Sequence, residues 1–332
     1  MLVSCKVSIH STISRNKLSL FRQRNSITTS KSKLKAVSLK QDRKLFASLY
    51  VACQSRESDL GEFFSHENHA YPPSLSEYRK LRKGNKADFL QIIETHGDTR
   101  LDCPEMTATV IDGAALVQMT LPGDVKTFRE YCSKLFVPKI LQELRADGRR
   151  RVDVLFDRYL QTSLKTETRE KRGGGIRVSV RESTPICKNW RQFLRVDKNK
   201  EELFTMLAVE LGNQNANENT IIATALENAI CNDISVNLAS LAPSNHEEAD
   251  TRVFLHTLHA ARSGHLKICI RTVDTDVVVI ALSVFNKLQI QELWIEFGTG
   301  IHKRWLPIHE YAANLRIQVC AAILVLVCIH RL

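Results

Sequence analysis

The sequence has no C-x-x-C pair, although it carries nine cysteines in 332 residues. They stand apart, at Cys5, Cys53, Cys103, Cys132, Cys187, Cys231, Cys269, Cys320 and Cys328, which argues against a zinc knuckle. Cys132 and Cys269 fall in apolar periodic segments and read as small core residues. Such usage suits a reducing, intracellular setting, nucleus or cytoplasm. No apolar run reaches the roughly 18 residues that span a bilayer. The closest, VCAAILVLVCI near the C-terminus, is too short, so no membrane partner is expected. Acids are missing from the first 41 residues, which hold nine Lys and Arg. That composition fits a disordered basic tail, and also a mitochondrial transit peptide. Taking those nine from the net +11 leaves the rest of the chain near +2. The high pI therefore belongs to the tail, and is not by itself a nucleic-acid signal. Internal repeats are absent, and RGGG at 172–175 is the one low-complexity run. No feature bears on oligomeric state.

What is present is a 43% apolar chain, enough for a proper core. RKLFASLYVACQ has helical spacing through Leu45, Leu49 and Cys53. With the loop-like stretch around Pro72-Pro73, it makes residues 42–105 a helical and loop extension packed on the main domain. From Met106 the pattern is clearer. TATVID (107–112) reads as a buried strand closed by Gly113. A helix follows, with Asp124 as N-cap, an apolar stripe of Phe128, Tyr131, Leu135, Ile140 and Leu144, a kink at Pro138 and a stop at Gly148. RVDVLFD (151–157) is the next strand, and strand–helix–strand implies a parallel sheet. HEEADTRVFLHTLHAARSG reads as a helix with Val253, Leu255, Leu258 and Ala261 inward. LKICIRT and ELWIEFG are further strands, with DVVVIALSVFNKL a helix between them. The expected class is an α/β domain with a parallel sheet of at least four strands and helices on both faces.

Acids fall where open parallel sheets build sites, at the carboxyl ends of strands. Asp112 ends the first strand and Asp157 the second. Asp274 and Asp276 follow the third, and Glu248 and Asp250 open the helix before it. Carboxylates so close would not ionise together without cations, and oxygen-only donors suit Mg²⁺ or Mn²⁺. Some of these acids also have a plainer explanation, though a cap accounts for one of Asp274 and Asp276 and not both, and a capping box at Glu247 leaves Glu248 and Asp250. Asp112 before Gly113 can start a turn. Asp157 can pair with Arg158 or Arg151. One of Asp274 and Asp276 can cap the following helix. Ser244 to Glu247 fits a capping box, and Glu247 with Asp250 is a geometric alternative to Glu248 with Asp250. DTDVV also fits a D-x-D-x-[TV] phosphatase motif, but only 56 residues follow Asp276, too few for the rest of that catalytic set.

The pieces VIDGAAL, VLFDRY, EEAD and VDTDVVVIAL, in that order over roughly 106–300, resemble the PIN-like domain of the flap endonuclease/XPG-type structure-specific nucleases. The resemblance implies a PIN-like (Rossmann-like) domain over 106–315 and two divalent ions, Mg²⁺ or Mn²⁺, held by Asp112, Asp157, Glu248, Asp250, Asp274 and Asp276. It implies a nuclease whose partner is nucleic acid, DNA before RNA. LKTETREKR sets Lys165 and Arg172 seven apart, and the resemblance makes them the pair that engages the scissile phosphate. Without the family, the same run is a solvated charged helix. The chain departs from the family in Asp250 for Glu and in the missing glycine after Asp157. It also lacks a downstream Gly-Cys-Asp turn and a helix–two-turn–helix. Residues 316–332 read as an irregular, cut-short tail. A catalytically silent binding module is the alternative expectation.

Overall fold

The computed structural model describes residues 30–55, 61, 65, 76–77, 80–81, 86–146, 148–159, 174–244 and 249–330. Contacts divide the chain into two units, Met1–Gly84 and Asn85–Leu332. The first contains helix α1 (Ser30–Ser55) and an antiparallel pair, β1 (Ser76–Glu77) with β2 (Lys80–Leu81). Helix α1 begins at Ser30, inside the stretch expected to be an unstructured tail through residue 41. The reason is local: its 26 residues contain neither Gly nor Pro and are rich in Lys, Leu and Ala.

The second unit holds the sheet. Helix α2 (Lys86–Glu94) opens it, ahead of the boundary at Met106 that composition suggested, because Leu90 and Ile93 are buried in the core. Then come β3 (Ala108–Asp112), α3 (Gly113–Met119) and a composite helix α4, followed by β4 (Arg151–Leu155). Helix α4 runs from Phe128–Glu130 through a π-turn at Tyr131–Phe136 to Val137–Leu144. Its N-cap is Thr127, not Asp124. The Thr127 hydroxyl accepts from the Glu130 amide at 3.3 Å. Pro138, which has no amide hydrogen, lies in the first turn after the π segment. The extra residue rotates the stripe, so that Phe136 is buried while Leu135 is only half-buried.

Two helices, α5 (Trp190–Phe193) and α6 (Asp197–Gly212), lead to a hairpin, β5 (Thr220–Ala225) and β6 (Asn228–Cys231). Helix α7 (Ala249–Arg262), β7 (Lys267–Thr272), α8 (Thr275–Leu288), β8 (Glu292–Phe297) and β9 (Arg304–Pro307) complete the sheet. Helices α9 (Ile308–Asn314) and α10 (Ile317–His330) follow. The last is regular where an irregular tail was expected. Its 14 residues contain no helix breaker, and it packs along α8.

The seven strands run in the order β6-β5-β4-β3-β7-β8-β9. The inner five, β5 to β8, are parallel, and both edge strands are antiparallel. The sheet is thus mixed and mostly parallel. Side chains alternate between its faces. Ile111, Val152 and Val154 join the core beneath α4 and α6. Val110, Leu155, Ile268 and Ile295 join the core beneath α7 and α8. Cys132 and Cys269 are buried, as expected, and burial pushes both thiols up to about 12. In α7 the buried face carries Arg252, Val253, His256, Thr257 and Ala260, whereas Leu255 and Leu258 are half-buried. Polar partners inside the fold, described below, draw Arg252 and His256 inward.

Candidate functional site

The chain builds β3, β4 and β5 in one direction across the sheet, then returns to add β7 and β8 on the other side of β3. The order reverses between β3 and β7, and crevices at the carboxyl ends of such strands are where open α/β sheets bind ligands. Register sets the acids there. Asp112 pairs with Leu155, and Ile111 pairs with Arg271. Asp157 and Asp274 therefore leave their strands just beyond the level of Asp112. Neighbouring strands are about 4.8 Å apart.

Each acid has a local hydrogen bond as well. Asp112 Oδ1 accepts from the Ala115 amide at 2.9 Å and caps α3. Asp157 Oδ1 accepts from the Ala249 amide at 2.9 Å, at the start of α7. Asp274 Oδ1 accepts from the Asp276 amide at 2.9 Å and caps α8. A cap engages one oxygen of each carboxylate, so capping and cation binding are compatible. The ion pairs considered for Asp157 go elsewhere: Arg158 pairs with Glu227 and Arg151 with Asp153. Asp250 lies in the first turn of α7, beside the amide that binds Asp157. Asp276 is buried in the first turn of α8 and receives the Lys86 ammonium at 2.7 Å.

The electrostatic signature falls on Asp112. Burial, then the charge of Asp157 and, more weakly, that of Asp274, raise its pKa to about 6. Backbone hydrogen bonds from Ala115 and Ala114 oppose the rise without cancelling it. Acids from two other segments thus bear on Asp112. Among the described residues, however, no three His, Cys, Asp or Glu side chains stand close enough to share a metal ion. Glu247, Glu248, Lys165 and Arg172 lie outside the described residues.

Gly113 lets the start of α3 lie against the end of β4. A Cβ there would meet the Phe156 ring at 2.6 Å and the Leu155 carbonyl oxygen at 2.8 Å. Gly113→Ala is expected to destabilise the protein by about 1–3 kcal/mol, read as a lower urea midpoint at unchanged slope.

Beside Asp112, a cleft of 280 Å³ is walled by Lys139, Glu143, Arg271, Glu296 and Lys303. Arg271 bridges Glu143 and Glu296, each at 2.7 Å, and Lys303 reaches Glu296 at 2.8 Å. Burial opposes ionisation of Glu296, but Arg271 and then Lys303 hold its carboxyl below the usual range. Lys139 is exposed and donates to the Thr120 hydroxyl at 3.0 Å. A larger 550 Å³ groove, lined by Arg181, Glu202, Met206 and Val209 among others, contains none of the candidate acids.

A second polar cluster lies inside the protein. Asp153 is wholly buried in the middle of β4. Arg151 Nε and Nη2 donate to it at 2.8 and 2.7 Å, and His256 Nδ1 donates at 2.7 Å. His256 Nε2 lies 2.8 Å from the Thr224 hydroxyl. Carboxylate, imidazole and hydroxyl stand in the order of a nucleophilic triad, but Thr224 is fully buried and its oxygen meets no solvent. The cluster is an internal clamp between β4, β5 and α7. Arg252 adds to it, donating to the Phe156 and Leu226 carbonyls at 3.2 and 2.5 Å.

Sequence reasoning passed over Asp153, His256, Arg252 and Lys86. The alternation R-V-D in β4 held a usable signal, because residues two apart share a strand face and an Arg–Asp pair there implies a buried ion pair. Lys86 has no motif around it. No family model, curated protein or solved structure matches this chain. Among the described residues, no helix is long and apolar enough to cross a membrane.

Proposed function

We propose that this protein is a metal-dependent nuclease with a PIN-like fold of the flap endonuclease/XPG type, hydrolysing phosphodiester bonds in nucleic acid. The observation that carries this reading is the convergence at the point of strand reversal. Burial, with the charge of Asp157 and more weakly that of Asp274 added to it, raises the Asp112 pKa to about 6. Folding like charges together costs free energy, and bound cations offset it. The donors fit a hard ion, since all are carboxylate oxygens, and an ammonium already stands at Asp276. On the family resemblance, Asp112, Asp157 and Glu248 would hold one ion and Asp250, Asp274 and Asp276 a second, and the last three would have to draw together to do so, because no described trio stands within reach of one ion. Bound Mg²⁺ or Mn²⁺ supplies an activated water and neutralises charge at the phosphate. Lys165 and Arg172 would engage the scissile phosphate, and Lys139 and Lys303 line the cleft where the strand would continue. Lacking base-reading motifs, the protein would select by backbone shape, with DNA favoured over RNA.

Labelled flap, hairpin and single-stranded substrates incubated with Mn²⁺ test this. Wild type is expected to cut, and the Asp274→Ala/Asp276→Ala variant to lose on the order of 100-fold or more. Absence of cutting by wild type, or equal cutting by the variant, rejects it. One observation favours a second reading, a catalytically silent PIN-like module that binds nucleic acid or a protein: among the described residues no trio of side chains closes on a metal. That reading expects salt-sensitive binding without turnover, unchanged by loss of the two aspartates.

A further inference from the structure

Helix α1 belongs to the first unit of the chain. Its sequence holds six Lys and Arg against one acid, Asp42, a net charge of +5. Leu45, Leu49, Ala52 and Cys53 are half-buried and give the helix an inner side. On another side, Leu39, Phe46 and Tyr50 are 59%, 70% and 60% exposed. Arg43 is exposed among them. At 3.6 residues per turn, positions 39, 43, 46 and 50 fall within about 60° of helix surface, in a stripe about 16 Å long. Lys40 and Lys44, four apart and both exposed, form the neighbouring ridge. Single exposed apolar side chains are ordinary, but a stripe of them, two carrying aromatic rings, marks a binding surface.

We propose that this stripe is a stacking platform for single-stranded nucleic acid, in which Phe46 and Tyr50 receive base faces while Arg43, Lys40 and Lys44 receive phosphates. Charge placement separates this occupant from the others that cover apolar side chains on a helix. A second copy of α1 would set a net +5 against a net +5. A lipid surface takes helices whose cations stand apart from the apolar side, whereas Arg43 stands inside the apolar stripe. A polyanion that carries aromatic bases fits both parts of the pattern, with rings for the bases and cations between them for the backbone. Bases in a duplex are already stacked on one another, so the rings select single strands. The inference goes beyond the metal centre and does not rest on it.

The test is fluorescence anisotropy of a labelled oligothymidylate of about 15 nucleotides with the full chain in chelator, where metal-dependent cutting is off. Wild type is expected to bind it, and to bind a duplex of the same length more weakly. Phe46→Ala/Tyr50→Ala is expected to bind on the order of 30-fold more weakly than wild type. Phe46→Tyr/Tyr50→Phe keeps both rings and is expected to bind as wild type does. Arg43→Gln/Lys44→Gln is expected to lower the salt slope by about 1.4, at about 0.7 per phosphate contact. All four positions are exposed, so melting should not change. Should the alanine variant fail to fold, the salt slope decides, and an unchanged slope overturns the inference. Equal binding by wild type and the alanine variant, or no binding by wild type, also overturns it. So does uptake by phosphatidylserine vesicles in place of the oligonucleotide, or a dimer that the alanine variant dissolves. Each of these failures leaves the nuclease reading standing, because that reading is decided by cutting and by Asp274→Ala/Asp276→Ala, a variant expected to bind the oligonucleotide as wild type does.

Discussion

Asp153→Ala is expected to cost about 3–5 kcal/mol, the largest loss of stability from any single substitution considered for this protein. The substitution removes the carboxylate that pairs with both Arg151 and His256, whose side chains are each 2% exposed. Arg151 in β4 and His256 on α7 would both remain buried without that partner. The pKa of Asp153 reports how tightly the pair is held. Burial alone would raise it, but the charge and hydrogen bonds of Arg151, followed by His256, hold it at about 2 against an ordinary 3.8. Because the folded value lies below the unfolded one, the contribution is present above pH 4 and is lost as pH falls toward 2. Urea unfolding of wild type and Asp153→Ala between pH 2 and pH 7 measures this. The gap between the two proteins should be widest at neutral pH and narrow toward pH 2. A variant as stable as wild type at pH 7 would show that the buried network is dispensable. Thr224→Val, which removes only the outermost hydroxyl, should cost far less than Asp153→Ala. A catalytic triad would show the opposite hierarchy in activity, since the hydroxyl would be the nucleophile.

The parallel core was legible because β3, β4, β7 and β8 are short apolar runs bounded by Gly, Asp or Asn, and helices separate them. The flanking strands were not. In β5, TIIATA is a β-branched run, but Asn and Glu residues before it and the tight turn at Leu226 (φ 54°) and Glu227 gave no familiar hairpin signal. Strand β9 contains Trp305 and ends at Pro307, a composition that reads as loop until the edge of the sheet is seen. Helix boundaries moved where one residue outranked another for the cap, as Thr127 did over Asp124. The order of the acids along the chain was enough to put Asp112, Asp157 and Asp274 at one sheet edge, since strand ends in a parallel sheet face one way. Which cations lie nearby was not legible. Lys86 arrives from 190 residues away, and Arg271, Glu143 and Glu296 meet only because β7, β8 and α4 converge. Long-range ion pairs have no period in sequence, so pattern reading cannot find them.

Asp112→Asn is expected to split stability from metal binding, raising the first while abolishing the second. In the metal-free protein the Asp112 carboxyl has a pKa of about 6, above the unfolded value of 3.8. A group raised in this way favours folding below the lower value, and that benefit is lost as pH rises through the higher one. At pH 8 the charged carboxylate therefore strains the fold, by about 1–3 kcal/mol. Asparagine removes the charge, keeps an oxygen for the Ala115 amide and is an equally good N-cap. Metal-free Asp112→Asn should therefore be more stable than wild type at pH 8, and the difference should close as pH falls from 6 to 4. Manganese should reverse the order. Wild type should gain stability with added Mn²⁺ and release a proton on binding as pH approaches 6, whereas the variant should gain little. Wild-type binding should weaken about ten-fold per pH unit below 6, as a proton competes for Asp112. Melting curves at pH 4, 6 and 8, with chelator and with Mn²⁺, give all of these results. If Asp112→Asn were no more stable than wild type at pH 8, the cost of burying a charged Asp112 beside Asp157 and Asp274 would be refuted. If it bound Mn²⁺ as wild type does, Asp112 would be a helix cap and nothing more. Gain of stability with loss of metal in one variant is what the proposed metal centre requires, because on that reading the cost of a charged, buried Asp112 is offset only by a bound cation.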